Sequence, residues 1–228
     1  MDEQLAWTTE LFESNEVAHW VESGTLLTLI RSGELTKYDE DIDLGVLATD
    51  VETLDELIPV IEARGYHVQR RSYHGRVYKY QFLPKNESGP RSRTSRRPVD
   101  VMVFRRTETH AWTAQAQVKE ELGVPGASKA LDLIYPLMQQ YARSANGSIE
   151  MTSFPKSLLV DIFTLWLPRS FVDDIVYDDE LGVHRPSAVE EYLTFRYDDW
   201  QTPVSEWSLS DDGAVEQAEP LHVIRHAD

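Results

Sequence analysis

The chain has 228 residues, 41% of them hydrophobic, enough for one substantial core with or without a small appended subdomain. It has no cysteine, which excludes disulfides and thiolate-bound zinc, and no apolar run of roughly 18 residues, which excludes a membrane-spanning helix. The net charge of −17, with six lysines and sixteen arginines among 39 acids, opposes general nucleic-acid binding, because phosphate contacts need clustered cations. The same surface reads either as a solubilising coat or as adaptation to high salt, where screening relieves self-repulsion.

The start, Met1-Asp2-Glu3-Gln4, has neither the basic nor the apolar region of a signal peptide, so cytoplasmic residence is the expectation. Residues 4–18 place Leu5, Leu11, Phe12 and Val17 among acids and predict an amphipathic helix. His19 to Glu22 suits a short strand entering a Gly24-Thr25 turn, and Leu26, Leu27, Leu29 and Ile30 suit a short buried helix. Asp41 to Leu47 alternates as a strand. Val51 to Ala63 is helical, with Asp50 as N-cap, Pro59 as an internal conflict that can kink it, and Arg64-Gly65 as its stop.

Strands near His67–Ser72 and Arg76–Leu83 follow, joined by a His74-Gly75 turn. Residues 85–98 form a Gly/Pro/Ser/Arg loop with five basic residues against Glu87. Val99 to Phe104 is a buried strand containing one acid, Asp100. From about 110 the pattern turns mostly helical, with Gln115–Leu122, Ala127–Tyr141 and the short apolar run 157–167 as candidates, then a short helix at Glu190–Arg196. Residues 204–228 hold six acids against Arg225 and read as a surface-docked or disordered tail. The expected fold class is α+β: a mixed β-sheet flanked by helices, with a mostly helical C-terminal part. The expected organisation is a catalytic core over 1–110, a helical region over 111–203 packed on it as one unit, and an acidic tail over 204–228.

The chemistry concentrates in Asp41-Ile42-Asp43. In a strand, side chains two apart share a face, so Asp41 and Asp43 aim two carboxylates at one point while Ile42 and Leu44 face a core. Two carboxylates forced together repel unless a cation sits between them, and an oxygen-only donor set suits Mg²⁺ or Mn²⁺. Asp100, inside an apolar strand, needs a partner, and a shared metal supplies one. The sequence therefore predicts a three-carboxylate metal site and an enzyme acting on phosphates. Apart from His222 and His226 near the C-terminus, the seven histidines show no H-x₃-H or similar spacing, so no zinc site is expected.

The run S-G-T-L-L-T-L-I-R-S-G…Y-D-E-D-I-D-L-G, over Ser23 to Gly45, resembles the LicD/fukutin-related branch of the nucleotidyltransferase fold shared with DNA polymerase β. Residues 191–203, E-Y-L-T-F-R-Y-D-D-W-Q-T-P, are similar to that family's C-terminal Y-L-x-x-x-Y-G-D-W-x-x-P. Four positions depart from the pattern: Thr28 for glycine, Tyr38 for tryptophan, Glu40 for aspartate and Asp198 for glycine.

The resemblance implies transfer of a phosphorylated alcohol, such as phosphocholine or an alditol phosphate, from a CDP-activated donor to a glycan hydroxyl. The other reading is a true nucleotidyltransferase that attacks the α-phosphate of a triphosphate and releases pyrophosphate, with a protein, RNA or small-molecule acceptor. In either, Asp41, Asp43 and Asp100 hold the metal, and Asp100 is also a candidate base for the acceptor hydroxyl. Backbone N–H groups at Gly24-Thr25 would hold a donor phosphate at the start of a helix. Arg31, two turns further, would pair with a phosphate or orient the acids; otherwise it is a surface arginine. Lys79 points either inward to phosphate or outward at an edge. Tyr197 and Trp200 suit core packing, or stacking on a base or sugar. Lipid-linked acceptors would call for peripheral contact with the inner face of a membrane, through 157–167 or the Arg-rich loop.

Overall fold

The computed structural model describes residues 2–85, 96–118, 148–150, 160–204 and 207–216. Helix α1 (Glu3–Ser14) is capped by Asp2, whose carboxylate accepts the Gln4 N–H at 2.9 Å and the Leu5 N–H at 3.3 Å. Its face of Leu5, Thr8 and Phe12 is buried. Strand β1 (His19–Val21) then leads into α2 (Ser23–Ser32), which stops at Gly33 with φ +76°, the left-handed cap that glycine adopts without steric cost.

Strand β2 (Ile42–Leu47) is followed by a 3₁₀ turn and α3 (Val51–Ala63). Asp50 holds the N-cap position of α3, but its side chain makes no cap bond. Pro59 sits inside a helix that runs through it. Residue 59 is on the exposed face, where the carbonyl it leaves unpaired can face solvent. Strands β3 (Tyr66–Tyr73) and β4 (Arg76–Pro84) form a hairpin whose turn residues His74 and Gly75 have φ +49° and +75°, the two positive values of a type I′ turn.

Strand β5 (Val99–Arg106) is the centre of the fold. It pairs in parallel with β2, antiparallel with β4, and through Arg105 and Arg106 with β6 (His110–Val118). The path across the sheet is β1-β2-β5-β4-β3-β7, with β7 at Ser148–Glu150 and β8 (Val160–Pro168) joined through β6. Beyond it lie α4 (Ser170–Asp173), the hairpin β9 (Ile175–Asp178) and β10 (Val183–Pro186), α5 (Val189–Tyr197) and α6 (Gly213–Glu216). The core is built from β2 and β5, both buried almost throughout, with Trp20, Phe12, Phe82 and Phe104 packed around them.

The mixed sheet flanked by helices is as expected, but two of the expected C-terminal helices are strands. Gln115 to Val118 belong to β6, and 160–167 to β8, paired from His110↔Pro168 to Val118↔Val160. Alanine and glutamine favour a helix locally at 114–117, and pairing with β8 along the whole of β6 overrides that weak preference. The apolar run of β8 is too short for periodicity to separate strand from helix, and its Val, Ile, Phe, Thr and Trp content decides for the strand. Leu165 and Leu167 are buried in this sheet, so they face the core and not a membrane. Residues 127–141 lie outside the described residues, as do 86–95 of the Arg-rich loop.

Residues 207–216 of the acidic tail are docked, with Leu209, Asp212 and Ala214 buried. No helix among the described residues is long and apolar enough to cross a membrane.

Candidate active site

Strand register brings the acids together. Asp43 of β2 lies directly across from Asp100 of β5 in the parallel pair, and Asp41 stands just before β2. One carboxylate oxygen from each of Asp41, Asp43 and Asp100 lies within 4.8 Å of the others. Asp41 is exposed, Asp43 half-buried and Asp100 buried.

Burial first, and then the neighbouring Asp41 carboxylate, push Asp43 from the ordinary 3.8 up to about 8. Asp41 is raised as well, by burial of its carboxyl and by Asp100. Asp100 forms an ion pair through Oδ2 with Lys79 of β4, itself buried. Its Oδ1 is buried and has no hydrogen-bond partner among the described residues. Three convergent carboxylates, one of whose oxygens is buried and accepts no hydrogen bond among the described residues, form an oxygen donor set that fits a hard divalent cation such as Mg²⁺ or Mn²⁺, with Lys79 offsetting part of their charge.

The rest of the acidic run has other tasks. Asp39 accepts the Thr28 hydroxyl at 2.7 Å and the Thr36 N–H at 2.6 Å, bracing the loop onto α2, so Thr28 has a structural partner in this chain. Thr25 is 2% exposed, and its Oγ1 accepts the Asp43 N–H at 2.7 Å. Its hydroxyl therefore fixes the height of Asp43 and does not reach outward.

Asp43 opens onto a cleft of about 1180 Å³ lined by Ser23, Gly24, Leu27, Arg31, Tyr197 and Trp200, with Asp198, Asp199 and Asp211 on its far wall. A Cβ on Gly24 would stand 3.5 Å from Asp43 Oδ2, so this glycine keeps the space over the carboxylate open. The expected neighbours Gly24, Arg31 and Asp43 are thus on one cleft, while Lys79 stands behind Asp100. Arg31 donates to the Trp200 carbonyl, tying α2 to the segment after α5. Tyr197 packs on Trp207, with ring centroids 5.6 Å apart. Of the Arg-rich loop, Arg97 pairs with Asp2 at 2.6 Å and Arg96 reaches the Arg64 carbonyl, both bonds to partners at α1 and the end of α3.

A buried network that the sequence reading missed holds the rim. Glu22 occupies the N-cap position of α2 yet makes no cap bond with its side chain. Its carboxylate turns inward, accepting Trp20 Nε1–H at 2.7 Å, Arg196 Nη1–H at 2.7 Å and the Tyr192 hydroxyl. Arg196 also donates from Nε to both oxygens of Asp212, at 2.8 and 2.7 Å, and from Nη2 to Ser23 Oγ at 3.4 Å. Ser23 has φ +47°, a strained value for a side-chain-bearing residue, and this bond helps hold it. The inward turn of Glu22 leaves the first turn of α2 without a carboxylate cap, and Ser23 and Gly24 of that turn line the cleft. The only sequence signal for Arg196 was its place inside Y-L-T-F-R-Y.

Residues 16–126, a little under half of the chain, match the family model described as LicD/FKTN/FKRP, nucleotidyltransferase domain. An uncharacterized protein of Rickettsia prowazekii, RP689, is 37% identical over 68 residues, covering 29% of this chain and 26% of that protein. The ribitol 5-phosphate transferase FKRP of Homo sapiens is 28% identical over 89 residues, covering 37% of this chain and 18% of FKRP. The chain thus spans about a quarter or less of the length of these relatives. Among solved structures, the lincosamide antibiotic adenylyltransferase LnuA, with lincomycin bound, aligns over 50% of this chain and 63% of its own, at 18% identity and a TM-score of 0.35. Residues 16–126 of the chain thus match the LicD/FKTN/FKRP nucleotidyltransferase-domain family.

Proposed function

We propose that this protein is a Mg²⁺- or Mn²⁺-dependent phosphotransferase that moves a phosphorylated alcohol from a CDP-activated donor to a glycan hydroxyl. The observation that carries the reading is the convergence of Asp41, Asp43 and Asp100 within 4.8 Å, with Asp43 lining a cleft that Ser23 and Gly24 at the start of α2 also line. The family match over residues 16–126, and the likeness to FKRP, a ribitol 5-phosphate transferase, support this class of donor.

Asp41, Asp43 and Asp100 would hold the cation, which when bound neutralises charge on the donor diphosphate and aligns it for displacement. The N–H groups at Ser23 and Gly24 bind donor phosphate oxygens, and Arg31 adds a guanidinium further along α2. The acceptor oxygen attacks the phosphorus remote from the nucleoside. A new P–O bond forms there, the bond to the bridging oxygen breaks, and CMP leaves with the electron pair. Asp100, held by Lys79, receives the hydroxyl proton at Oδ1. The acidic far wall, Asp198, Asp199 and Asp211, disfavours free polyanions and makes donor binding depend on the cation.

The test is a donor screen with Mg²⁺ or Mn²⁺, using CDP-choline, CDP-ribitol, CDP-glycerol and the nucleoside triphosphates with simple glycan acceptors. Metal-dependent CMP release that disappears in Asp41→Asn supports the proposal. Pyrophosphate release from a triphosphate replaces it with nucleotidyl transfer on the same residues.

A further inference from the structure

Away from the carboxylate site, a second set of metal-ligating side chains meets where three segments cross. Glu13 ends α1, His19 opens β1 and His184 lies on β10. One ligand atom from each lies within 4.8 Å of the other two. His19 pairs across from Val46 while Val21 pairs across from Leu44, so this cluster sits at the opposite end of β2 from Asp43. The separation is roughly 10 Å along the strand.

The histidines are prepared as ligands. His19 is 6% exposed, and its Nδ1 lies 2.9 Å from the Val17 carbonyl, which fixes the proton there and leaves Nε2 with a free lone pair. That Nε2 is buried without a hydrogen-bond partner among the described residues. Burial, the largest cause, lowers His19 below its ordinary value. His184 Nδ1 is likewise buried without a hydrogen bond, and stands 3.6 Å from Glu13 Oε1, beyond hydrogen-bond length. The two imidazoles are edge-to-face at 5.1 Å, and Tyr177 closes on His184 from the other side, also at 5.1 Å. A proton on His184 accounts for its approach to Glu13 but leaves the buried His19 Nε2 without a donor beside the same pair, whereas one shared cation satisfies all three.

We propose that Glu13, His19 and His184 form a second, borderline-soft divalent metal site, for Zn²⁺ in preference to Mg²⁺, distinct from the carboxylate trio. Two nitrogens and one carboxylate oxygen are the donors Zn²⁺ takes, at about 2.0–2.2 Å, and ligands at that radius stand about 3.4 Å apart. Each side chain must move inward by less than about 1 Å to reach it. Glu13 is exposed and gives the ion its entry path; water completes the fourth position. The bound ion would pin the β9–β10 hairpin to α1 and β1, fastening the C-terminal half to the nucleotidyltransferase core.

Zinc binding by the chain freed of any affinity tag, measured by calorimetry and by metal content after dialysis in excess Mg²⁺, tests this directly. One Zn²⁺ per chain is expected, retained in Asp41→Asn. Affinity should fall about 10-fold or more in Glu13→Gln, which is exposed and will fold, and further in His184→Ala. Co²⁺ in its place should give the visible absorption of a four-coordinate nitrogen–oxygen site. Absence of zinc binding in excess Mg²⁺, or unchanged affinity in Glu13→Gln and His184→Ala, overturns the proposal. Loss of binding in Asp41→Asn with retention in His184→Ala overturns it too, by moving the ion to the carboxylate site.

Discussion

Arg196 of α5 donates from Nη1 to Glu22 Oε1 at 2.7 Å, joining a residue that immediately precedes α2 to one 174 positions later. Both side chains are fully or almost fully buried, at 0% and 2% exposure, and Asp212 completes the set on the other edge of the guanidinium. One cation thus serves two buried carboxylates. Removing it leaves two uncompensated charges in a low-dielectric site, whereas removing one carboxylate leaves a balanced pair.

Arg196→Met is therefore expected to lower stability by about 3–5 kcal/mol, the scale of a broken buried ion pair. Glu22→Gln should cost less, because Gln keeps acceptor capacity toward Trp20 and Arg196. Urea denaturation of both variants checks the order. A smaller loss for Arg196→Met than for Glu22→Gln would show that the network is not what holds this end of the cleft.

The same comparison shows what the sequence could and could not reveal. Asp41, Asp43 and Asp100 were legible because strand alternation is local: two acids two residues apart at the start of β2, and one acid inside an apolar β5, need no knowledge of the rest of the chain. Gly24 and Arg31 followed from helical spacing, and both line the cleft. Glu22, Arg196 and Asp212 were illegible because each is unremarkable where it stands, an acid at a strand end, an arginine in a helix and an acid in an acidic tail. Only the tertiary fold makes them partners. The same holds for Lys79, whose strand could present it on either face until β5 supplied Asp100. β8 was misjudged because a short apolar run satisfies either period.

The metal-free carboxylate site should make stability fall as pH rises. Asp43 is raised from 3.8 to about 8, so between these values the folded chain keeps a proton that the unfolded chain has lost. The folded state then binds more protons than the unfolded, and the unfolding free energy declines with pH across that window. Thermal melts in EDTA from pH 6 to 8 are expected to drop in midpoint, and Asp43→Asn should flatten the trend. Added Mg²⁺ should raise the midpoint more at pH 8 than at pH 6, since the cation competes with that proton. Equal Mg²⁺ stabilisation at both values would contradict a metal on Asp43.

Activity should separate from stability at the same residues. Asp41→Asn and Asp43→Asn are expected to lower turnover by about 10²-fold or more while leaving the metal-free fold as stable as the parent or more so, because like-charge repulsion is relieved. Single-turnover assays beside urea melts test this. Full activity in either variant would remove the carboxylates from the proposed chemistry.

Gly45 of β2 lies under Trp20, and a Cβ there would come within 2.3 Å of the indole ring. The ring cannot retreat freely, because its Nε1–H is bonded to Glu22. Gly45→Ala should therefore cost about 1–3 kcal/mol through overpacking and weaken the bond that holds Glu22 inward. Loss of tryptophan near-UV dichroism together with a lowered urea midpoint is the expected signature. An unchanged midpoint would mean that Trp20 has room to move.

Asp198 caps α5 with φ +53° and ψ −108°, a conformation that glycine adopts freely and a residue with a Cβ does not. It is also the position where the related C-terminal pattern carries glycine. The chain keeps the turn with a side-chain-bearing residue in it, and that residue lines the cleft. Asp198→Gly should relieve that strain and raise stability by about 1 kcal/mol, a shift of about 2–4 °C in Tm for a chain of this size. It also removes one negative charge facing the donor, so the KM for an anionic donor should fall, and fall most at low ionic strength where the charge is least screened. A Tm that rises with KM unchanged would assign Asp198 to the turn alone; a Tm that falls would mean that its carboxylate holds the turn through bonds worth more than the strain.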